Sequence, residues 1–329
     1  MIARPLLVAL AAISMVAAAC TTEESSNPAP TLTSTTSSTS TTSTTTVPAT
    51  TTPPSTVADT TTVPEPTLPA GPVDAVVPLF TGGDEGGWLY LGSWQFDQWL
   101  EAADDEGTEI VPSISPGTPA TISNLDLETA GSFGAPTDSC FDDRTGPTVD
   151  IVVAAPEPPG YGYPAVALPT PSWALKPRPV AVSASGPDTY ETLGQEAFAG
   201  DPVDATLGAV EQLVVTDLDG DGDDEALVIF EYIQSVDDPG TRGDMASLLL
   251  VDAVTRGAST VQQNFVDADL DPDDFPAIER YRILDVADLN GDGRMEVVVH
   301  AWYYEGASVV IYTYDGAELS VVLANGCGA

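Results

Sequence analysis

Short apolar runs separated by Gly, Pro and Asp recur through residues 72–329. They are rich in β-branched residues, which favours strands over helices, and the clearest lie at 149–153, 226–230, 247–251, 297–299 and 308–312. Two other stretches, 96–103 and parts of 189–199, place apolar residues at helical spacing. Frequent prolines between 156 and 179 predict irregular or edge structure. The pattern as a whole predicts a mainly β fold of antiparallel sheets with one or two short helices.

Residues 1–19 have the order of a secretory signal peptide, with basic Arg4, an apolar run over 6–13 and small residues up to Ala19. The apolar run is shorter than the roughly 20 residues that a membrane-spanning helix needs. One interpretation is an ordinary signal peptide that is cleaved after Ala19. The sequence Ala-Ala-Ala-Cys that ends at Cys20 also resembles the lipobox of bacterial lipoproteins. This resemblance implies that Cys20 is acylated and anchors an extracytoplasmic protein to the bacterial cell membrane, with its head at the cell wall or surface.

A low-complexity segment, residues 20–71, follows the signal. Between residues 31 and 67 there are 18 threonines, 6 serines and 5 prolines in 37 positions. Such a composition buries too little apolar surface to offset its ordering entropy, so we expect a disordered tether. A spacer that lifts the head off the membrane and a passive linker both fit this composition. Either way, the predicted organisation is anchor, tether and a β-rich head over residues 72–329.

The charge balance excludes two classes of partner. The chain has 50 acidic and 9 basic side chains and a net charge of −41. No basic surface exists to neutralise nucleic-acid phosphates or to bind an anionic membrane electrostatically. His300 is the single histidine, and because it stands in an apolar strand we expect a packed residue rather than a metal ligand or base.

Three cysteines are present. If Cys20 is acylated, Cys140 and Cys327 are left in an oxidising compartment, which predicts a disulfide between them. Two separate buried thiols are the alternative.

Two loops share a nine-residue template. The first loop, residues 217–225, reads Asp-Leu-Asp-Gly-Asp-Gly-Asp-Asp-Glu, and the second loop, residues 288–296, reads Asp-Leu-Asn-Gly-Asp-Gly-Arg-Met-Glu. Both place oxygen-bearing side chains at positions 1, 3, 5 and 9 and glycine at positions 4 and 6. Calcium takes six to eight oxygen ligands, glycine at position 6 permits a sharp turn, and the carbonyl of position 7, Asp223 or Arg294, supplies one more ligand.

These loops are not EF-hands, because position 12 holds Val228 and Val299 where an EF-hand has a glutamate. With its flanking strands, each loop resembles an FG-GAP/VCBS-type repeat, the calcium-loop blade of integrin-like β-propellers. The resemblance covers residues 210–329 and implies antiparallel, blade-like sheets of a partial or small β-propeller. The side-chain ligands that it implies are Asp217, Asp219, Asp221, Glu225, Asp288, Asn290, Asp292 and Glu296.

The alternative for both loops is a solvated acidic turn that binds nothing. Six carboxylates within the nine residues of the first loop repel one another without a cation, which disfavours that alternative. We expect the calcium to be structural, stabilising the native fold by binding it alone. Residues 267–274 resemble a third loop, but proline replaces glycine at position 6, so we expect a solvated turn there.

Two classes of function follow from these patterns. The first is a lipid-anchored, calcium-binding surface protein without catalysis, which binds an envelope polysaccharide or another surface protein or has a structural role. Adjacent aromatic residues at 302–304 offer one surface for sugar contact. The second is an extracytoplasmic hydrolase of the glycoside hydrolase type, which needs two carboxylates about 5–9.5 Å apart in a cleft and no histidine.

Overall fold

The computed structural model describes residues 76–82, 88–102, 114–137, 148–153, 166–235, 240–252, 254–255, 257–267 and 277–328. Contacts divide the chain into the units Met1–Val63 and Pro64–Ala329, and all described residues lie in the second. The predicted signal peptide, tether, Cys20 and Cys140 lie outside the described residues, as does most of the third acidic turn. In the part of the chain that is described, no helix has the length and apolar character needed to cross a membrane.

The described residues form three antiparallel sheets, which confirms the predicted mainly β fold with blade-like sheets. The first sheet contains β1 (Val77–Gly82), β2 (Trp88–Gln95), β3 (Gln98–Glu101), β4 (Pro119–Ser123), β5 (Glu128–Thr137), β6 (Thr148–Val153) and β7 (Val166–Pro169). Its hydrogen-bonded order is β1-β7-β4-β5-β6-β2-β3, and β1 also pairs with β2.

The second and third sheets each contain a four-stranded meander, in which consecutive strands are neighbours. The second sheet contains β8 (Ala181–Ser183), β9 (Ala209–Thr216), β10 (Glu225–Tyr232), β11 (Met245–Val251) and β12 (Ala258–Phe265). The third contains β13 (Arg280–Ala287), β14 (Glu296–Tyr303), β15 (Gly306–Tyr314) and β16 (Leu319–Gly328). The meanders are β9 to β12 and β13 to β16, and β8 adds to the outer side of β9. All five strands predicted from the sequence are present.

The third sheet packs on both of its faces. One face, with Ile283, Val297 and Tyr312, shares an apolar core with Leu227 and Leu248 of the second sheet. The other face carries residues such as Val298, Ile311 and Leu323, which share a core with residues of the first sheet that include Leu79 and Leu91. β14, in the middle of the covered region, accordingly has the continuous buried apolar run Val297, Val298 and Val299 rather than an alternating pattern.

Helix α1 (Asp188–Ala197) confirms the helix predicted from residues 189–199. It begins after Pro187 and packs on the second sheet through Gly194, where an added Cβ would lie 2.3 Å from the ring of Phe230. A single turn of 3-10 helix, Ala205–Leu207, precedes β9.

The helix predicted at 96–103 is wrong. Phe96 and Asp97 have φ values of 52° and 57° and form the two-residue turn of the β2–β3 hairpin. Positive φ at both central residues matches the twist of paired strands. Trp94 and Trp99 face each other across this hairpin with ring centroids 5.0 Å apart. This cross-strand aromatic contact stabilises the strands over the helix that the local spacing predicts.

Of the proline-rich region, residues 156–165 lie outside the described residues, and the rest divides into two parts. Residues 170–180 lack regular structure, as predicted. The expectation of edge structure is wrong for β7, because it pairs with β4 along its length and with β1 at Phe80 and Ala167.

Candidate metal centre

The two loops occupy the same position in their meanders. The first joins β9 to β10 and the second joins β13 to β14. In each hairpin the last residue before the loop pairs with the position 9 glutamate: Thr216 with Glu225, and Ala287 with Glu296. The glutamate is therefore the first residue of a strand, as the strand–loop–strand prediction requires. Both glutamates are buried, with exposures of 4% and 0%.

Glycine is required at positions 4 and 6 of both loops. The φ values are 85° and 97° at Gly220 and Gly222, and 80° and 87° at Gly291 and Gly293. Residues with a Cβ rarely adopt this left-handed conformation, so the glycines allow the backbone to curl around the side-chain oxygens.

The same five hydrogen bonds hold both loops. The position 1 side chain accepts from the amides of positions 4 and 6. The position 3 side chain accepts from the amide of position 5, and the position 5 side chain accepts from the amide of position 7. The position 9 glutamate accepts from the amide of position 2. The acceptors of the first loop are Glu225, Asp217, Asp219 and Asp221, and those of the second are Glu296, Asp288, Asn290 and Asp292. The two loops thus have one conformation, although their sequences differ at positions 3, 7 and 8.

Three carboxylates of the first loop converge. One oxygen from each of Asp217, Asp219 and Glu225 lies within 4.8 Å of the other two. Among the described residues this is the one group of three acidic, histidine or cysteine side chains that meets so closely. An all-oxygen donor set of this kind suits a hard cation such as calcium.

The remaining predicted side chain of the first loop lies further out. Asp221 is exposed, and its Oδ1 accepts from the amide of Asp223, which is also exposed. Both stay predicted ligands, Asp221 by its carboxylate and Asp223 by its carbonyl.

The second loop is more deeply buried than the first. Asp288 and Asn290 are 1% and 3% exposed, whereas Asp292 and Arg294, at positions 5 and 7, are exposed. The Asn290 amide donates to Asp292 Oδ2 and to Glu296 Oε1, both at 3.2 Å. Positions 3, 5 and 9 are therefore adjacent in space here too, with an amide in the place of one carboxylate.

The loops concentrate negative charge in a buried place, which raises the pKa of several carboxyl groups. Burial, with a smaller effect of the charges of Asp219, Asp221 and Asp217, raises the pKa of Glu225 to about 7. Burial likewise raises the pKa of Asp288 to about 6, with Asp292 contributing. The pKa of Glu296 lies well above its ordinary value, from burial first and from Asp292 and Asp288 next. A bound cation offsets this cost, because it stabilises the charged form of each carboxyl group.

A segment that sequence reasoning missed contacts both loops. Trp173 donates from Nε1 to the carbonyl of Asp288 at 2.8 Å, and the amide of Asp288 donates to the carbonyl of Leu175 at 2.7 Å. The guanidinium of Arg178 donates to carbonyls of the first and second loops. The one available signal was the rarity of basic side chains: Lys176 and Arg178 are two of only nine in the chain.

Lys176 anchors the same segment to the third sheet. Its Nζ lies 3.2 Å from Oδ1 of Asp285, which is fully buried, and donates to the carbonyl of Asn124. Burial raises the pKa of Asp285, and the Lys176 ammonium opposes that rise.

A separate cleft of about 330 Å³ is lined by residues of the second and third sheets and of 124–126. Arg280 binds both carboxylate oxygens of Glu231 on one wall, and its guanidinium carbon lies 5.2 Å from the ring centroid of Trp302. The ring of His300 stacks on Trp302 with centroids 5.0 Å apart. Burial, together with the nearby charge of Arg282, lowers the pKa of His300 to about 4. His300 is thus packed, as its apolar strand predicts.

The chain matches no family model, no curated protein and no solved structure. Conclusions about function therefore depend on the two loops and their surroundings.

Proposed function

We propose that this protein is an exported, lipid-anchored binding or structural module whose β-rich head is stabilised by two calcium ions. One ion binds in the first loop, through Asp217, Asp219, Asp221, Glu225 and the Asp223 carbonyl. The other binds in the second loop, through Asp288, Asn290, Asp292, Glu296 and the Arg294 carbonyl. The acyl group on Cys20 and the tether over residues 20–71 would hold this head outside the cytoplasm.

One observation carries the calcium proposal. Two loops 71 residues apart adopt one backbone conformation at equivalent positions of two meanders, and three carboxylates of the first converge within 4.8 Å. The burial of Glu225 and Glu296 beside other carboxylates is costly without a cation. Calcium would supply the positive charge there, and the chain supplies oxygen donors in a fixed arrangement.

A thermal melt with and without chelator tests the proposal. At a calcium concentration 100-fold above the Kd, each site adds about 2.7 kcal/mol to the free energy of unfolding. Two sites then raise Tm by on the order of 10 °C in a domain of this size. Equal midpoints in calcium and in chelator would contradict the proposal, and magnesium at the same ionic strength is the control for a general screening effect.

We place the contact surface for an envelope polysaccharide or another surface protein at the cleft beside Trp302. Planar polar side chains and an aromatic ring line it, and such groups suit sugar hydroxyls and ring faces. Co-sedimentation with insoluble wall polysaccharide tests this: Arg282→Met in the cleft should weaken retention, whereas Arg242→Met, an exposed residue outside the cleft lining, should not. Equal retention of the two variants would contradict this placement.

The same cleft supports binding over hydrolysis. It holds the carboxylates of Glu211, Glu231 and Asp126. Both oxygens of Glu231 are engaged by Arg280, so this carboxylate is committed to an ion pair rather than available to a substrate. We propose a protein without catalysis; the alternative is a hydrolase that would use the other two acids of the cleft, Glu211 and Asp126.

A further inference from the structure

One irregular segment, residues 173–178, contacts both loops at the start of their templates. It holds Asp288, position 1 of the second loop, by its amide and its carbonyl, through Leu175 and Trp173. It contacts Asp217, position 1 of the first loop, through Arg178. The two candidate sites therefore share one support, which is neither a strand nor part of either hairpin.

Arg178 joins the loops most directly. Its Nη2 donates to the carbonyl of Leu218 at 2.8 Å, its Nη1 donates to the carbonyl of Gly293 at 2.7 Å, and its Nε donates to the carbonyl of Asp217. Nε also lies 3.9 Å from Oδ1 of Asp217. The carbonyl of Leu218 accepts a second hydrogen bond, from the amide of Met295 in the second loop at 2.9 Å.

The planar guanidinium of Arg178 makes its position depend on both loops at once. Its N–H groups form a rigid planar fork, so the positions of three acceptors fix its orientation. Asp217 supplies a predicted side-chain ligand of the first loop. Gly293 precedes Arg294, whose carbonyl is a predicted ligand of the second. If a bound ion fixes the conformation of one loop, it also fixes the acceptors that orient the Arg178 guanidinium towards the other loop.

We propose that Arg178 is a positioning residue shared by the two loops, through which calcium binding in one loop raises the calcium affinity of the other. This inference rests on the proposed calcium binding. The coupling is reciprocal, because a binding free energy shared between two sites acts equally in both directions. Two positive ions alone would repel each other, so cooperative uptake has to come from the protein that joins the sites.

Calorimetric calcium titration of the full chain measures the coupling. Asp219→Ala removes a predicted ligand of the first loop and leaves the second loop to bind, and Asp292→Ala does the reverse. The product of the association constants measured for these two single-site variants is the value expected if the loops bind independently. For the wild-type chain, the product of the two stepwise constants should exceed that value by about five-fold or more, the usual lower range of coupling between sites. We call the wild-type product divided by the expected product the coupling ratio. It should fall to roughly one when Arg178→Met is added to the wild-type chain and to both single-site variants.

Two further variants separate positioning from general support. Arg178→Lys keeps the charge but lacks the planar fork, so it should retain the two sites and lose most of the coupling. Arg242→Met removes an exposed arginine that lies outside both loops, and it should leave the ratio unchanged. Should Arg178→Met fail to fold, the lysine variant carries the test alone.

The outcomes distinguish this inference from the proposed function. If the wild-type chain binds two ions with a coupling ratio of one, the coupling is overturned and the calcium sites stand. The same holds if the ratio stays above one in both Arg178→Met and Arg178→Lys. No calcium uptake by the wild-type chain would overturn the proposed function and the coupling together.

Discussion

Asp219 is the residue whose role in the first loop is simplest to isolate. Its carboxylate meets those of Asp217 and Glu225, yet the residue is only half-buried. Asp219→Asn should lower the calcium affinity of the first loop by at least about tenfold, since ligand charge sets the affinity of such sites. Asp224→Asn, an exposed acid at position 8 outside the template ligands, makes the same charge change and should alter the affinity by less than about two-fold. Calorimetry measures both, and equal affinities in the two variants would show that Asp219 is not a ligand.

His300 gives the head a pH dependence of known sign. Its pKa of about 4 in the fold is below its ordinary value of 6.5, so the unfolded chain binds a proton at a higher pH than the folded chain. The His300 contribution to stability is therefore complete above pH 6.5 and is lost progressively as the pH falls towards 4. Between pH 7 and pH 5 the loss is roughly 2 kcal/mol.

Urea unfolding of wild type and His300→Gln at the two pH values, in saturating calcium, measures that loss. The wild type should lose roughly 2 kcal/mol more than the variant, because glutamine does not titrate. Parallel pH dependence of the two proteins would show that His300 is protonated alike in the folded and unfolded chains.

Individual residues were predictable where the reason for them is local. The glycines and oxygen donors of both loops follow from a nine-residue template, and the loop conformation agrees with it at Gly222 and Gly293. Arg178 could not be predicted, because its acceptors lie 39, 40 and 115 residues away. No periodicity in the sequence reports a contact between an irregular segment and distant carbonyls.

At the scale of elements, the loop hairpin depends on its glycine turn. Gly222 has a φ of 97° and open space where a Cβ would lie, so Gly222→Ala tests backbone strain alone. We expect a cost of about 1–2 kcal/mol and a loss of calcium affinity of about tenfold, since the strain is placed in the ion-binding conformation.

Gly117 is a matched control for that substitution. It has a φ of 86°, also with open space for a Cβ, but it lies outside both loops. Gly117→Ala should therefore destabilise the fold by a similar amount without a change in calcium affinity. Denaturation and calorimetry of both variants separate the two effects, and identical calcium affinities would contradict the role given to Gly222.

Strands were predictable from short β-branched runs, and all of the predicted strands are present. The helix predicted at 96–103 was wrong because the spacing of its apolar residues fits both a helix and a hairpin. Trp99 and Leu100 fit a helical face, but Trp99 also fits a hairpin in which it meets Trp94 across the strands. The turn at Phe96 and Asp97 decides for the hairpin, and its sequence does not announce it, because Phe96 is atypical there and no Asn-Gly or Asp-Gly pair is present.

For the whole molecule, charge and architecture point to the same dependence on cations. A chain with a net charge of −41 repels itself when compact, and two buried carboxylate clusters add to that cost. The mainly β class followed from the sequence, whereas the arrangement of three sheets, with the third covered on both faces, did not. Sheet packing is set by contacts between distant runs that have similar apolar composition, so short-range patterns do not distinguish the alternatives.

The central claim is that each of the two loops holds one calcium ion. Isothermal titration of the purified, calcium-free full chain tests it most directly, with a double variant, Asp219→Ala with Asp292→Ala, as the control. The account predicts two ions per wild-type chain, with a Kd of about 10⁻⁴ to 10⁻³ M or tighter, and none in the double variant. Absence of uptake by the wild type at millimolar calcium, or equal uptake by the double variant, would contradict it.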